Sequence, residues 1–153
     1  MYNRGVLKNL LDYILIQDSK SGINLLEVQG QKSLISGKHS VIFSGFLSAI
    51  QKIAQELKVG RIAQISIDDH LCLFYHEDPI NMVIMIDAGD SIDLWKEKSQ
   101  TICTEFLNAF GKAFLPSNTY RFQSFVPILT KIVPEIELEK NLTKKYNCGK
   151  KSY

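Results

Sequence analysis

Several things are scarce in this 153-residue chain, and each shortage closes off a class of function. Its three cysteines, Cys72, Cys103 and Cys148, are odd in number and far apart, so neither a disulfide framework nor a zinc site with paired cysteine ligands can be built from them. They suit a reducing cytoplasm. No stretch approaches the roughly 20 apolar residues of a membrane span. The opening MYNRGVLKNLLDYILIQ has no small-residue cleavage site and its apolar run is broken by Asp12, so no secretory leader is expected. A net charge of +2 is too mild to imply nucleic acid, which requires Lys and Arg gathered on one surface. Neither phosphate-loop pattern is present, G-x-x-x-x-G-K-S/T or G-x-G-x-x-G, and Ser19, Ser21 and Ser44 lack a G-x-S-x-G setting. No nucleophile stands with a base at usable spacing, so neither catalytic nor cofactor-binding residues are expected and the chain does not read as an enzyme.

What is present is a globular composition, 45% hydrophobic and 22% charged, on a chain the size of one domain. The expected organisation is a single domain over 1–146, with a short arm at 1–9 and a flexible basic tail at 147–153. Lys140, Lys144, Lys145, Lys150 and Lys151 make the one local excess of charge. That tail, with Tyr146 and Cys148, is either simply solvated or a peripheral contact to anionic lipid.

The stretch Val41 to Leu57 organises the rest. Ile42, Phe46, Ala49, Ile50, Ile53 and Leu57 fall at helical spacing, with Ser44, Ser48, Gln51 and Gln55 on the opposite face, which predicts an amphipathic helix burying the first set. Before it, LDYILIQ and INLLEVQ flank Asp18-Ser19-Lys20-Ser21-Gly22, a β-hairpin. Gly30 to Ser40 is a polar connection, and Ser40 is the better candidate to cap the helix. The helix should stop near Lys58 to Gly60, where Gly60 can take the left-handed conformation that ends helices. Strands are predicted over Ile62–Ile67, Leu71–His76 and Asn81–Asp87. In the last of these Met82 to Ile86 is apolar at every position, so both of its faces must be covered and it belongs in the middle of the sheet. A second helix begins at Asp90-Ser91 and shows Trp95, Ile102, Phe106, Ala109, Phe110 and Ala113 on one face before Pro116. A third is predicted over Ser124–Val133, with Pro127 in its first turn and Pro134 behind it.

This order, β-β-α-β-β-β-α-α, with a five-stranded antiparallel sheet, one helix on one face and two on the other, resembles the longin domain of the longin/roadblock superfamily. The resemblance covers Leu10 to Val133. Its most specific part is Phe43-Ser44-Gly45-Phe46-Leu47-Ser48-Ala49-Ile50, which is similar to the corresponding helix of longin-like proteins of GTPase-rich archaea. The long loop Gly30 to His39 departs from the pattern. The resemblance implies a non-enzymatic platform for protein–protein interaction, a homo- or heterodimer that binds a small GTPase or a vesicle-traffic adaptor, at most peripheral to membranes. The implied interaction surface is Ser44, Gly45, Ser48, Gln51 and Gln55. Small residues there either let another backbone approach closely or seat the helix tightly on its own sheet.

Two alternatives stand beside this reading. Asp68, Asp69, His70, Cys72 and His76 hold the densest set of metal-ligating groups, but Asp68-Asp69-His70 reads as a turn, and the two histidines then stand at opposite ends of a strand. No metal site is expected from them. A small-molecule sensor of PAS or GAF type also sets helices against a five-stranded sheet. It needs polar groups pointing into the core, whereas Phe43, Phe46, Trp95, Phe106 and Phe110 suggest that the space is filled.

Overall fold

The computed structural model describes residues 11–30, 38–112 and 118–133. The five apolar runs form strands β1 (Tyr13–Asp18), β2 (Asn24–Gln29), β3 (Gln64–Ile67), β4 (His70–Glu77) and β5 (Ile80–Asp87). They pair antiparallel in the order β2-β1-β5-β4-β3. Helix α1 (Lys38–Glu56) lies between β2 and β3 in sequence, and α2 (Ile92–Phe110) follows β5. A 3-10 segment, Thr119–Phe125, leads into the short α3 (Val126–Ile132). This is the predicted order of elements.

The central position of β5 follows from its composition. Ile84 pairs with Ile14 of β1 on one side and Leu73 of β4 on the other. Met82 to Ile86 are all buried. Met82, Ile84 and Ile86 join the larger core under α2 and α3, with Trp95, Ile102, Phe106, Phe122, Phe125 and Leu129. Val83 and Met85 face the other way, into a smaller core with Tyr13, Leu15, Cys72 and Leu47 of α1. The aromatic rings of Phe106, Phe110, Phe122 and Phe125 pack with centroids 4.8 to 6.3 Å apart, which fixes the 3-10 segment against α2.

Local chemistry explains the connections. At the β1–β2 turn the Asp18 carboxylate accepts from the Ser21 amide at 2.9 Å and the Ser21 hydroxyl at 2.7 Å, while Gly22 takes φ +76°. Helix α2 is capped as predicted, the Ser91 hydroxyl accepting from the Leu94 amide at 3.3 Å. Helix α1 closes close to the predicted stretch. Val59 N–H bonds the Ala54 carbonyl and Lys58 N–H that of Gln55, and positive φ is taken by Gly60, +106°, as expected, and also by Lys58, +57°.

Boundaries move at several ends. Strand β1 starts at Tyr13 and not Leu11, β3 at Gln64 and not Ile62, and β4 takes in His70. Backbone of His39 and Ser40 is already helical, so Ser40 does not precede the helix. The third helix is divided, 3-10 up to Phe125 and α only from Val126, where Pro127 sits in the first turn. Ala109 of α2 is exposed. The arm 1–9, most of the loop after Gly30, Ala113, Pro116, Pro134 and the basic tail lie outside the described residues.

The larger correction concerns which side of α1 meets the sheet. Ile42, Phe46, Ala49, Ile53 and Leu57 do not form the buried face that their spacing predicts: Ile42 is 70% exposed, Ile53 58% and Leu57 67%. The sheet is met instead by Phe43, Ser44, Leu47, Ser48 and Ala54. Positions 43, 47, 50 and 54 make a second helical stripe one residue along from the first, so the sequence offers two adjacent faces. The sheet decides between them. Gln17 and Asn24 stand at its end under α1 and need hydrogen-bond partners, which Ser48 and Ser44 supply.

Candidate functional site

Helix α1 therefore carries two surfaces of opposite kind. Toward the hairpin it presents polar groups. The Gln17 side-chain amide donates to Asn24 Oδ1 and to Ser48 Oγ, both at 2.8 Å. Asn24 Nδ2 donates to Ser44 Oγ at 3.1 Å, and that hydroxyl donates to the Val41 carbonyl at 3.2 Å. Gln51 clamps the backbone of Ile62, accepting from its N–H at 3.3 Å and donating to its carbonyl at 3.5 Å. The five residues singled out in the sequence, Ser44, Gly45, Ser48, Gln51 and Gln55, all line one hollow of about 500 Å³ between this face and the hairpin turn. Ser44 is buried, Ser48 and Gln51 are half-buried, and Gly45 and Gln55 are exposed. Around Gly45 an added Cβ would meet nothing within 4 Å. The hollow is open to solvent, and its hydroxyls and amides largely satisfy one another.

Away from the sheet α1 presents an apolar stripe. Ile42, Phe46, Ile53 and Leu57 are exposed. One exposed apolar residue needs no explanation, but four recurring at helical spacing lie along one side of α1, an arrangement of the kind that marks an interface. Beside it in sequence is β3, an edge strand, paired among the described residues to β4 alone and mostly exposed, with Ile67 open to solvent. An unpaired edge strand is a surface another chain can extend.

The opposite end of the sheet gathers titratable groups. His70 opens β4 and pairs in register with Asp87, the last residue of β5. The amide of Asp12, just before β1, donates to the Met85 carbonyl at 3.1 Å, which brings its carboxylate to the same corner. His70 Nε2 lies 3.4 Å from Asp12 Oδ2. Burial raises the pKa of the Asp12 carboxyl, the His70 charge opposes this, and Asp87 adds to it. Asp90 follows in the next turn, its amide donating to the Asp87 carbonyl at 3.1 Å. Its pKa is raised mainly by burial and then by Asp87. Asp90 Oδ2 and the indole N–H of Trp95 are both sealed from solvent, without a partner at hydrogen-bonding geometry, although the indole is near enough to favour the ionised carboxylate. Sequence spacing groups His70 with Cys72 and His76. The structure separates them: Cys72 is buried under α1, and His76 bonds Asn81 across the far end of the ladder at 2.5 Å. Asp12 and Asp87 escape a sequence reading because only strand order brings residues 12, 70 and 87 together.

Neither buried thiol is built to react. Burial pushes the Cys72 thiol up to about 11 and the Cys103 thiol up to about 12, and thiolate is the reactive form. In a Cys148→Ser background, native protein at neutral pH is expected to incorporate less than one tenth of an equivalent of iodoacetamide in the time that unfolded protein takes up two. Fast native labelling of either residue, read by mass spectrometry, would contradict its burial.

No family model matches the chain, and no curated protein matches it. Among solved structures it is similar to Myxococcus xanthus MglB, at 11% identity and a TM-score of 0.49, over 67% of this chain and 85% of that one. It is also similar to the gliding protein MglB of Thermus thermophilus, at 14% identity and a TM-score of 0.43, over 86% of this chain and 85% of that one. The longin/roadblock-like reading of the fold rests on the chain's own sheet order and on one helix covering one face and two the other.

Proposed function

We propose that this protein is a non-enzymatic interaction platform, which pairs with a second copy through the outer face of α1 and so presents a surface to a small GTPase or a traffic-type adaptor. The observation that carries the proposal is the exposed apolar stripe of α1, with the edge strand β3 following it in sequence as a second open surface. A self-complementary patch of this sort is what a two-fold dimer requires, because each copy offers the same helix face and the same strand edge to the other. Aliphatic and aromatic side chains fill it, with Lys52 and Glu56 at its border, the usual arrangement of apolar centre and polar rim. The small GTPase comes from the longin resemblance and not from the patch. Among the described residues no helix is long and apolar enough to cross a membrane.

The test is affinity capture from native lysate with the wild-type chain and, in parallel, with a variant carrying Phe46→Asp and Ile53→Asp. A small GTPase retained by the wild type and lost with the variant is the expected result, with purified components then reproducing the binding. Retention of the same partners by both baits removes the α1 face from the mechanism. A monomeric wild type whose melting temperature rises with one metabolite would favour the sensor reading instead.

A further inference from the structure

The structure assigns a second site, and we propose that Asp12, His70 and Asp87 bind a divalent transition-metal ion at the corner of the sheet where β1, β5 and β4 meet. One ligand atom from each residue lies within 4.8 Å of the other two, and His70 Nε2 and Asp12 Oδ2 are 3.4 Å apart. A metal bound at about 2.0 to 2.2 Å holds neighbouring ligands about 3.4 Å from one another in tetrahedral geometry. The His70–Asp12 pair is therefore already at coordination spacing, with an Asp87 oxygen within 4.8 Å.

The backbone makes this spacing reproducible. His70 and Asp87 are direct cross-strand partners, the Ala88 amide donates to the Asp69 carbonyl at 2.8 Å, and the Asp12 amide is tied to Met85. The first residue of β4, the last of β5 and the residue just before β1 thus hold the three donors, each tied by backbone hydrogen bonds of the sheet. All three side chains are half-buried, which shields the charges while leaving room for water to complete the coordination. Asp90 places a third carboxylate on the turn that follows, its amide donating to the Asp87 carbonyl at 3.1 Å.

The donor set chooses the ion. One imidazole with carboxylates suits Zn²⁺, Co²⁺ or Mn²⁺ better than Mg²⁺ or Ca²⁺, which take oxygen alone. With three protein ligands the ion keeps open positions, so the site would strap the end of the sheet and remain accessible to an exogenous ligand.

The probe is Co²⁺, titrated into full-length protein freed of metal with a chelator, followed by visible absorption and by melting temperature. Visible bands of coordinated Co²⁺ at one equivalent and a rise of about 5 °C or more at saturation are expected. His70→Gln and Asp87→Asn should each weaken binding at least about tenfold, as loss of one of three ligands does. His76→Gln and Asp69→Asn should leave it unchanged. Should a ligand variant fold poorly, the wild type decides alone. Zn²⁺ should protect His70, and not His76, from carbethoxylation by diethyl pyrocarbonate, read by peptide mass spectrometry. Unaltered binding in His70→Gln, equal protection of both histidines, or no visible bands at millimolar Co²⁺ each overturn the site.

Discussion

Ile84→Asp is expected to abolish folding. Ile84 has no solvent exposure and sits halfway along the strand that holds both halves of the sheet, between Ile14 and Leu73. Its side chain belongs to the larger core, where a carboxylate finds no partner among the apolar groups around it. An unpaired buried carboxylate costs several kcal/mol even if it takes up a proton, and loss of the apolar packing adds about 2 to 5 more. Domains of this kind have about 5 to 15 kcal/mol in hand, so the sum consumes most or all of it. Circular dichroism should show no cooperative melt. Ile84→Val supplies the graded control, since losing one methylene costs about 0.5 to 1.5 kcal/mol and leaves the fold intact. A soluble Ile84→Asp protein with the wild-type melting curve would mean that β5 is not the central strand.

The reason β5 could be read from sequence, and the orientation of α1 could not, lies in what each pattern leaves undetermined. Met82 to Ile86 admits one interpretation, because a strand apolar on both sides has to be covered on both sides. Helix α2 was nearly as clear: Ser91 caps it and Trp95, Ile102 and Phe106 define one stripe, all buried as expected. In α1 the residues 41–50 put apolar groups on two neighbouring stripes, and hydrophobicity alone favours the one with Ile42, Phe46, Ile53 and Leu57. The deciding information is elsewhere in the chain, in Gln17 and Asn24, which turn Ser44 and Ser48 toward the hairpin. A helix with apolar residues to spare is a sign that it serves two surfaces. That sign is present in the sequence, where it reads as a wider core face. The five candidate surface residues do share one face, and the hydrogen bonds turn that face toward the hairpin. The corner of Asp12, His70 and Asp87 was beyond sequence reading altogether, since 58 and 17 residues separate its members and strand order alone unites them.

If α1 serves two surfaces, charging the outer one should change assembly and spare the fold. Phe46→Asp with Ile53→Asp is expected to convert a dimer at micromolar concentration into a monomer, measured by light scattering. Phe46 is 48% exposed and Ile53 58%, so little of the monomer's own core depends on them. In a dimer each carboxylate would be buried against the apolar stripe of the other copy, and the two-fold axis doubles every change. An interface charge left unpaired costs about 2 kcal/mol or more, and two substitutions on both copies make four such charges. Even about 3 kcal/mol in total raises the dissociation constant by about a hundredfold, enough to move a micromolar dimer to monomer. Circular dichroism of the variant should match the wild type. The wild-type melting temperature should rise with protein concentration, because association stabilises the folded state by mass action, and that dependence should vanish in the variant. Gln55→Ala, on the face toward the hairpin, should leave the mass unchanged. A wild type that is already monomeric at these concentrations, or a double variant that stays dimeric, would remove the α1 face as the site of self-association.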